Sequence, residues 1–100
     1  MTIKSPFMPS RGGNQVVTPA ATSASATLAS VNKSVRFVNS GAAICHVRIG
    51  VDGKDATTAD TPILPNTALI LQKAMDDDVV AYISATGTTL HIQPGEGGYV

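Results

Sequence analysis

Few side chains in this sequence have types and spacings that could do chemistry. Asp76-Asp77-Asp78 is the one acidic cluster. Grouped carboxylates suit a hard cation such as Ca2+, which takes several oxygen ligands. Three consecutive side chains project in different directions, however, and no loop spacing or distant Glu completes a site. The triplet reads as a solvated turn, and no metal is assigned to Asp76, Asp77 or Asp78.

His46 and His91 could act together as metal ligands, or one could be a general base beside Asp52 or Asp60. No Ser in a nucleophile motif and no third ligand accompany them. Each falls on the less apolar face of a predicted strand, so a surface cross-strand pair is the better reading. Cys45 alternates with Val47 and Ile49 and reads as a small buried hydrophobe. As the sole cysteine it can form no intramolecular disulfide. Gly95-Glu96-Gly97-Gly98 follows the last strand and opens no helix, so it lacks the context of a phosphate loop and reads as a strap. Arg36, Arg48 and Lys54 are placed on a shared face. Three charges are too few for nucleic acid and suit pairing with acidic groups of a neighbouring subunit. With no nucleophile–base–orienter set to assemble, no catalytic residue, cofactor or enzymatic activity is expected.

The elements that position these groups follow from composition. Thirteen Ala, eleven Thr, ten Val and eight Ser stand against five Leu and one Glu in 100 residues, which favours strands over helices. Alternating patterns predict strands at Ser34–Asn39, Ile44–Ile49, Ala68–Lys73, Val79–Ala85 and Thr88–Ile92, with weaker ones at Val16-Val17 and Thr27–Ala29. Leu69, Ile70 and Leu71 make the Ala68 strand look buried on much of both faces. Pro62 and Pro65 confine Thr61–Asn66 to an edge or a connection. Asn39-Ser40-Gly41, Asp52-Gly53, the Asp triplet and Thr86-Gly87 supply turns. The spacing predicts an all-β fold: a single small β-sandwich or jelly-roll-like domain over residues 26–94. Residues 1–25 read as an extended N-terminal arm and 95–100 as a C-terminal tail.

The arm has little to bury and frays unless a neighbouring subunit holds it. Its sizeable apolar groups, Ile3, Phe7, Met8, Val16 and Val17, are therefore the expected partner-binding residues. A domain of this size with four aromatics is marginal alone, so a symmetric homo-oligomer is expected, with a trimer favoured. Zero net charge and seven scattered basic residues exclude an electrostatic nucleic-acid footprint. No apolar run is long enough for a membrane helix, and Met1–Pro6 lacks the apolar stretch of a secretory signal.

Two long stretches also carry a resemblance. One is Ser34-Val35-Arg36-Phe37-Val38-Asn39-Ser40-Gly41 with His46-Val47-Arg48-Ile49-Gly50. The other is Asp60-Thr61-Pro62-Ile63-Leu64-Pro65 with the run from Ala81 to Gly97. Over about residues 31–98 the chain resembles small virion structural proteins of tailed bacteriophages, of the capsid decoration or cement kind. The resemblance implies a β-sandwich component of the particle and supplies no catalytic motif.

On these grounds the expected function is a non-enzymatic capsid decoration protein that stabilises the head between capsid subunits. Its partners are the major capsid protein or other virion proteins. Its location is the phage capsid, after synthesis in the bacterial cytoplasm. A head-to-tail connector or tail component is the alternative. A carbohydrate-binding β module is weaker, because sugar faces stack on exposed aromatics and the chain has no Trp, with Tyr82 and Tyr99 as its only tyrosines. A chain lacking residues 1–20 is expected to keep its fold and lose attachment to capsids.

Overall fold

The computed structural model describes residues 7–9, 14–28, 33–51, 55–73, 77 and 79–96. Nine strands run through them: β1 (Met8–Pro9), β2 (Gln15–Val17), β3 (Ala24–Thr27), β4 (Ser34–Asn39), β5 (Cys45–Gly50), β6 (Thr61–Ile63), β7 (Thr67–Gln72), β8 (Val79–Ile83) and β9 (Leu90–Glu96). The described residues contain no helix, as the lack of helix formers predicts.

The strands pair as nested antiparallel partners: β2 with β9, β3 with β8, β4 with β7 and β5 with β6. Two further pairings, β4 with β9 and β5 with β8, close these into two sheets. One sheet runs β2-β9-β4-β7, with β1 beside β2 along the same edge of β9; the other runs β3-β8-β5-β6. A long hairpin rolled up in this way is a jelly roll. The expected fold class is therefore present, down to the edge position of the Pro62 strand.

The core lies between the sheets. Val35 and Phe37 of β4, and Leu90 and Ile92 of β9, meet Cys45 and Val47 of β5, Ile63 of β6, and Val80 and Tyr82 of β8, all buried. Val17, Ala26, Ile49, Leu69 and Leu71 close the margins. Burying these side chains contributes roughly 1.5–3 kcal/mol for each large aliphatic or aromatic one.

The described part of the N-terminal segment is extended, as expected, but it lies along its own domain. Residues 8–9 and 15–17 lie along β9, and 24–27 lie along β8. The boundary expected after residue 25 falls inside β3, and the tail boundary at residue 95 falls inside β9. The weak strand expected at Thr27–Ala29 begins earlier, at Ala24. The reason is backbone pairing: small residues bury little, yet their N–H and C=O groups complete a ladder as well as any others.

Two other differences are instructive. β7 is an edge strand, half-exposed rather than buried on both faces. Leu69 and Leu71 lean on the core, while Ile70 lies on the outer face with its pairing partner Arg36. β9 runs past its expected end through Pro94, although it is an interior strand. The Ser40 N–H bond to the Thr89 carbonyl (3.0 Å) sets the phase of the β4–β9 ladder. Odd residues of β9 then bond β4, and even ones turn toward β1 and β2. Pro94 thus lacks its N–H on the side where β2 covers 90–92 and β1 covers 95–96, so it sits in the gap between them.

Candidate functional site

The groups singled out for chemistry are dispersed. His46 pairs with Pro62 and Ile83 on the outer face of the β3-β8-β5-β6 sheet. His91 pairs with Val16 and Val38 on the outer face of the other sheet, with its Nε2 3.2 Å from Ser40 Oγ. The whole sandwich separates the two histidines, so they share no metal. Asp60 is occupied by its own turn: its Oδ2 accepts from the Thr57 N–H (2.7 Å) and from Thr57 Oγ1 (3.4 Å). Cys45 is fully buried, and loss of hydration pushes its thiol pKa up to about 11. A thiol so placed is a poor nucleophile.

Arg36 and Arg48 do not share a face. Arg36 lies in register with Gln93, to whose Oε1 its Nη1 donates at 3.4 Å, on the same outer face as His91. Arg48 lies in register with Ala81 on the outer face that carries His46. The residues are close in type and strand position, but β4 and β5 belong to opposite sheets, and this separates them. Lys54, Asp52, Asp76 and Asp78 lie outside the described residues, as do Gly97, Gly98 and Tyr99. Asp77 is half-buried, and Gly95 and Glu96 belong to β9. Among the described residues no group of three or more His, Cys, Asp or Glu is placed to hold a metal.

The expected partner-binding residues also separate. Ile3 lies outside the described residues. Phe7 is half-buried, and Met8 pairs through its backbone with Glu96. Val17 turns inward and packs against the core of its own domain. Val16 is 62% exposed, in the same row as His91 and Val38.

A different apolar surface stands open on the β3-β8-β5-β6 sheet. Cys45 and Ile63 face each other inward, so the next pair along, Ile44 and Leu64, turns outward. These two are 39% and 55% exposed. Pro62, Ile83 and His46 continue the same face. The β5–β6 connection covers part of that face, while Ser25 and Thr27 of β3 stay exposed. Ala56 is buried with its N–H bonded to Ser23 Oγ (2.9 Å), and Ala81, outward by register, is only 2% exposed. From the sequence alone no role is assigned to this patch, and two residues mark it there: Ile44, apolar and in phase with His46 and Arg48, and Leu64, apolar between Pro62 and Pro65.

A shallow cleft of about 330 Å3 opens between β5 and β7, lined by Val47, Ile49 and Leu71 with Asp60 and Gln72 among its polar groups. It lies just beyond the β5–β6 pairing, which ends at Val47 and Thr61. Tyr82 is buried and Phe7 half-buried, and no aromatic ring among the described residues is exposed for stacking on a sugar.

The fold and its surfaces define an all-β jelly-roll domain whose reactive groups are dispersed and which exposes the apolar side chains of Ile44 and Leu64. Comparison with known proteins adds no relative: no family model matches the chain, and no curated protein or solved structure shows significant similarity to it.

Proposed function

We propose that this chain is a non-enzymatic structural protein of a phage virion, a decoration protein that binds between capsid subunits. One observation carries the reading: the residues able to do chemistry are engaged or separated, while Ile44 and Leu64 present an uncharged apolar patch at one end of the sandwich. Apolar patches rimmed by polar groups mark protein contacts. The resemblance read from the motifs of residues 31–98 motivates the same assignment, and jelly rolls recur among viral shell domains by fold-level analogy. Weak contacts suffice in a lattice, because repetition along the shell converts them into avidity.

In this reading attachment runs through the Ile44–Leu64 patch rather than through a free arm. The test is binding of purified protein to undecorated capsids, read by co-sedimentation and by a particle image showing where the protein sits. The Leu64→Asp variant should fold, since Leu64 is exposed, yet lose attachment. Attachment unchanged in Leu64→Asp and Ile44→Asp would refute the patch. Protein found in a single ring at the portal vertex would replace decoration with a connector role.

A further inference from the structure

The two sheets have four lateral edges, and three of them are poorly suited to pairing. The β1–β2 edge is broken and carries Pro9; β6 has three residues including Pro62; β3 has four small ones. Interrupted, short and proline-bearing edges are how sheets avoid pairing with foreign strands. β7 has none of these protections. Thr67–Gln72 is six residues long without a charge, a proline or a break, and among the described residues no strand pairs with its outer side.

The phase of its ladder follows from one bond. The Lys73 N–H donates to the Lys33 carbonyl at 2.8 Å, one step beyond the Ser34–Gln72 pair. Antiparallel strands alternate bonded and non-bonded pairs, so Thr67, Leu69 and Leu71 bond β4. Ala68, Ile70 and Gln72 then direct three N–H and three C=O groups outward. These groups are centred on Ile70, and around it the side chains are nearly palindromic: Leu69 and Leu71, then Ala68 and Gln72.

We propose that β7 is the docking edge for a second copy of this chain, added antiparallel about a two-fold axis through Ile70. Ile70 then faces Ile70 of the second copy, Leu69 faces Leu71, and Ala68 faces Gln72. Every outward group of the three residues finds its complement, which makes six interchain backbone bonds. The half-exposed Leu69 and Leu71 cover each other, and the two sheets join into one continuous sheet. Lys73 meets Thr67, so no like charges face across the axis. A self-complementary patch of this kind is what an isologous dimer contact requires. The contact is two-fold, in contrast to the trimer expected from the thin core. It does not depend on the capsid reading, because the Ile44–Leu64 patch lies on the other sheet.

The test uses the full chain and exploits the axis. A cysteine at an axial position faces itself, at a bonded-pair Cα separation of about 5.5 Å, within disulfide reach. The native Cys45 is buried and does not compete. Ile70→Cys should form a covalent dimer under mild oxidation. Ala68→Cys alone should not, while Ala68→Cys mixed with Gln72→Cys should. Light scattering should give twice the 10.2 kDa chain mass for the wild type and the monomer mass for a folded Ile70→Lys. The proposal fails if the wild type is monomeric at every soluble concentration, if it is a trimer, or if Ile70→Cys and Ala68→Cys cross-link equally. Capsid attachment by a β7-blocked monomer would leave the virion reading standing, and loss of attachment in an intact dimer would count against that reading alone.

Discussion

The Thr88 hydroxyl donates to the Asn39 side-chain oxygen at 2.7 Å, joining residues 49 apart in the sequence. Asn39 ends β4, fully buried, and each of its polar positions is matched. Its Nδ2 donates to the carbonyls of Ala43 (2.8 Å) and Ile63 (3.0 Å), and its Oδ1 also accepts from the Gly41 N–H (3.1 Å). One side chain thus ties the end of β4, the β4–β5 turn, the end of β6 and the β8–β9 turn at one pole of the sandwich.

Removing one partner of a buried polar network leaves the others unsatisfied, at about 1–3 kcal/mol for each group. Asn39→Ala should therefore destabilise the fold by about 3 kcal/mol or more in urea denaturation. Thr88→Val removes one bond and should cost about 1–2 kcal/mol. The double variant should cost less than the sum, because the two residues share one bond. Strict additivity would mean that the bond contributes nothing.

Gly41 sits beneath that bond. A Cβ there would overlap Thr88 Oγ1 and lie 2.8 Å from the Thr89 backbone nitrogen. Gly41→Ala must push the β8–β9 turn away and should cost about 1–3 kcal/mol, the range of overpacking. Asn66 provides the contrast. It holds φ at 56° in the β6–β7 turn, so Asn66→Gly should be close to neutral. Thermal unfolding of the pair distinguishes steric from conformational demand.

The buried thiol makes stability depend on alkaline pH. The unfolded Cys45 ionises near its ordinary value of 9.0 and the folded one near 11. Below pH 9 both states are protonated, and burial of the thiol contributes its full stability. As pH rises from 9 toward 11 the unfolded state releases its proton first, so stability falls through that window, by about 2–3 kcal/mol in all. Cys45→Val should flatten this part of the profile. Thiol reagents at neutral pH should label the protein only after denaturant is added.

Truncation separates the two readings of the N-terminus. The Pro19 and Ala20 carbonyls accept from the Thr88 (3.3 Å) and Ser84 (2.9 Å) N–H groups, and Gln15 Nε2 donates to the Thr27 carbonyl at 2.8 Å. A chain beginning at residue 21 loses these bonds and bares β9, so it should melt well below the full chain. A chain beginning at residue 14 keeps β2 and should melt close to it. Equal melting of all three would restore a free arm.

Much of the fold is legible in the sequence because strand formation is local. Val35 and Phe37, or Cys45 and Val47, alternate with polar neighbours, and a period of two needs no knowledge of distant residues. Pro62 likewise announces an edge by its missing N–H. What the sequence by itself determined is thus the all-β class, the positions of β4, β5, β7, β8 and β9, and the inward residues of the central strands. The tertiary structure decided which strands adjoin. Hydrogen bonds between strands are made by backbone groups that every residue shares, so the placement of 15–17 on β9 leaves no mark in side-chain pattern. The same pairing put His46 and His91 on opposite faces, made a continuous apolar run into the edge strand β7, and brought Ile44 beside Leu64. Strand order is a long-range property, and which side chains share an exposed surface depends on it.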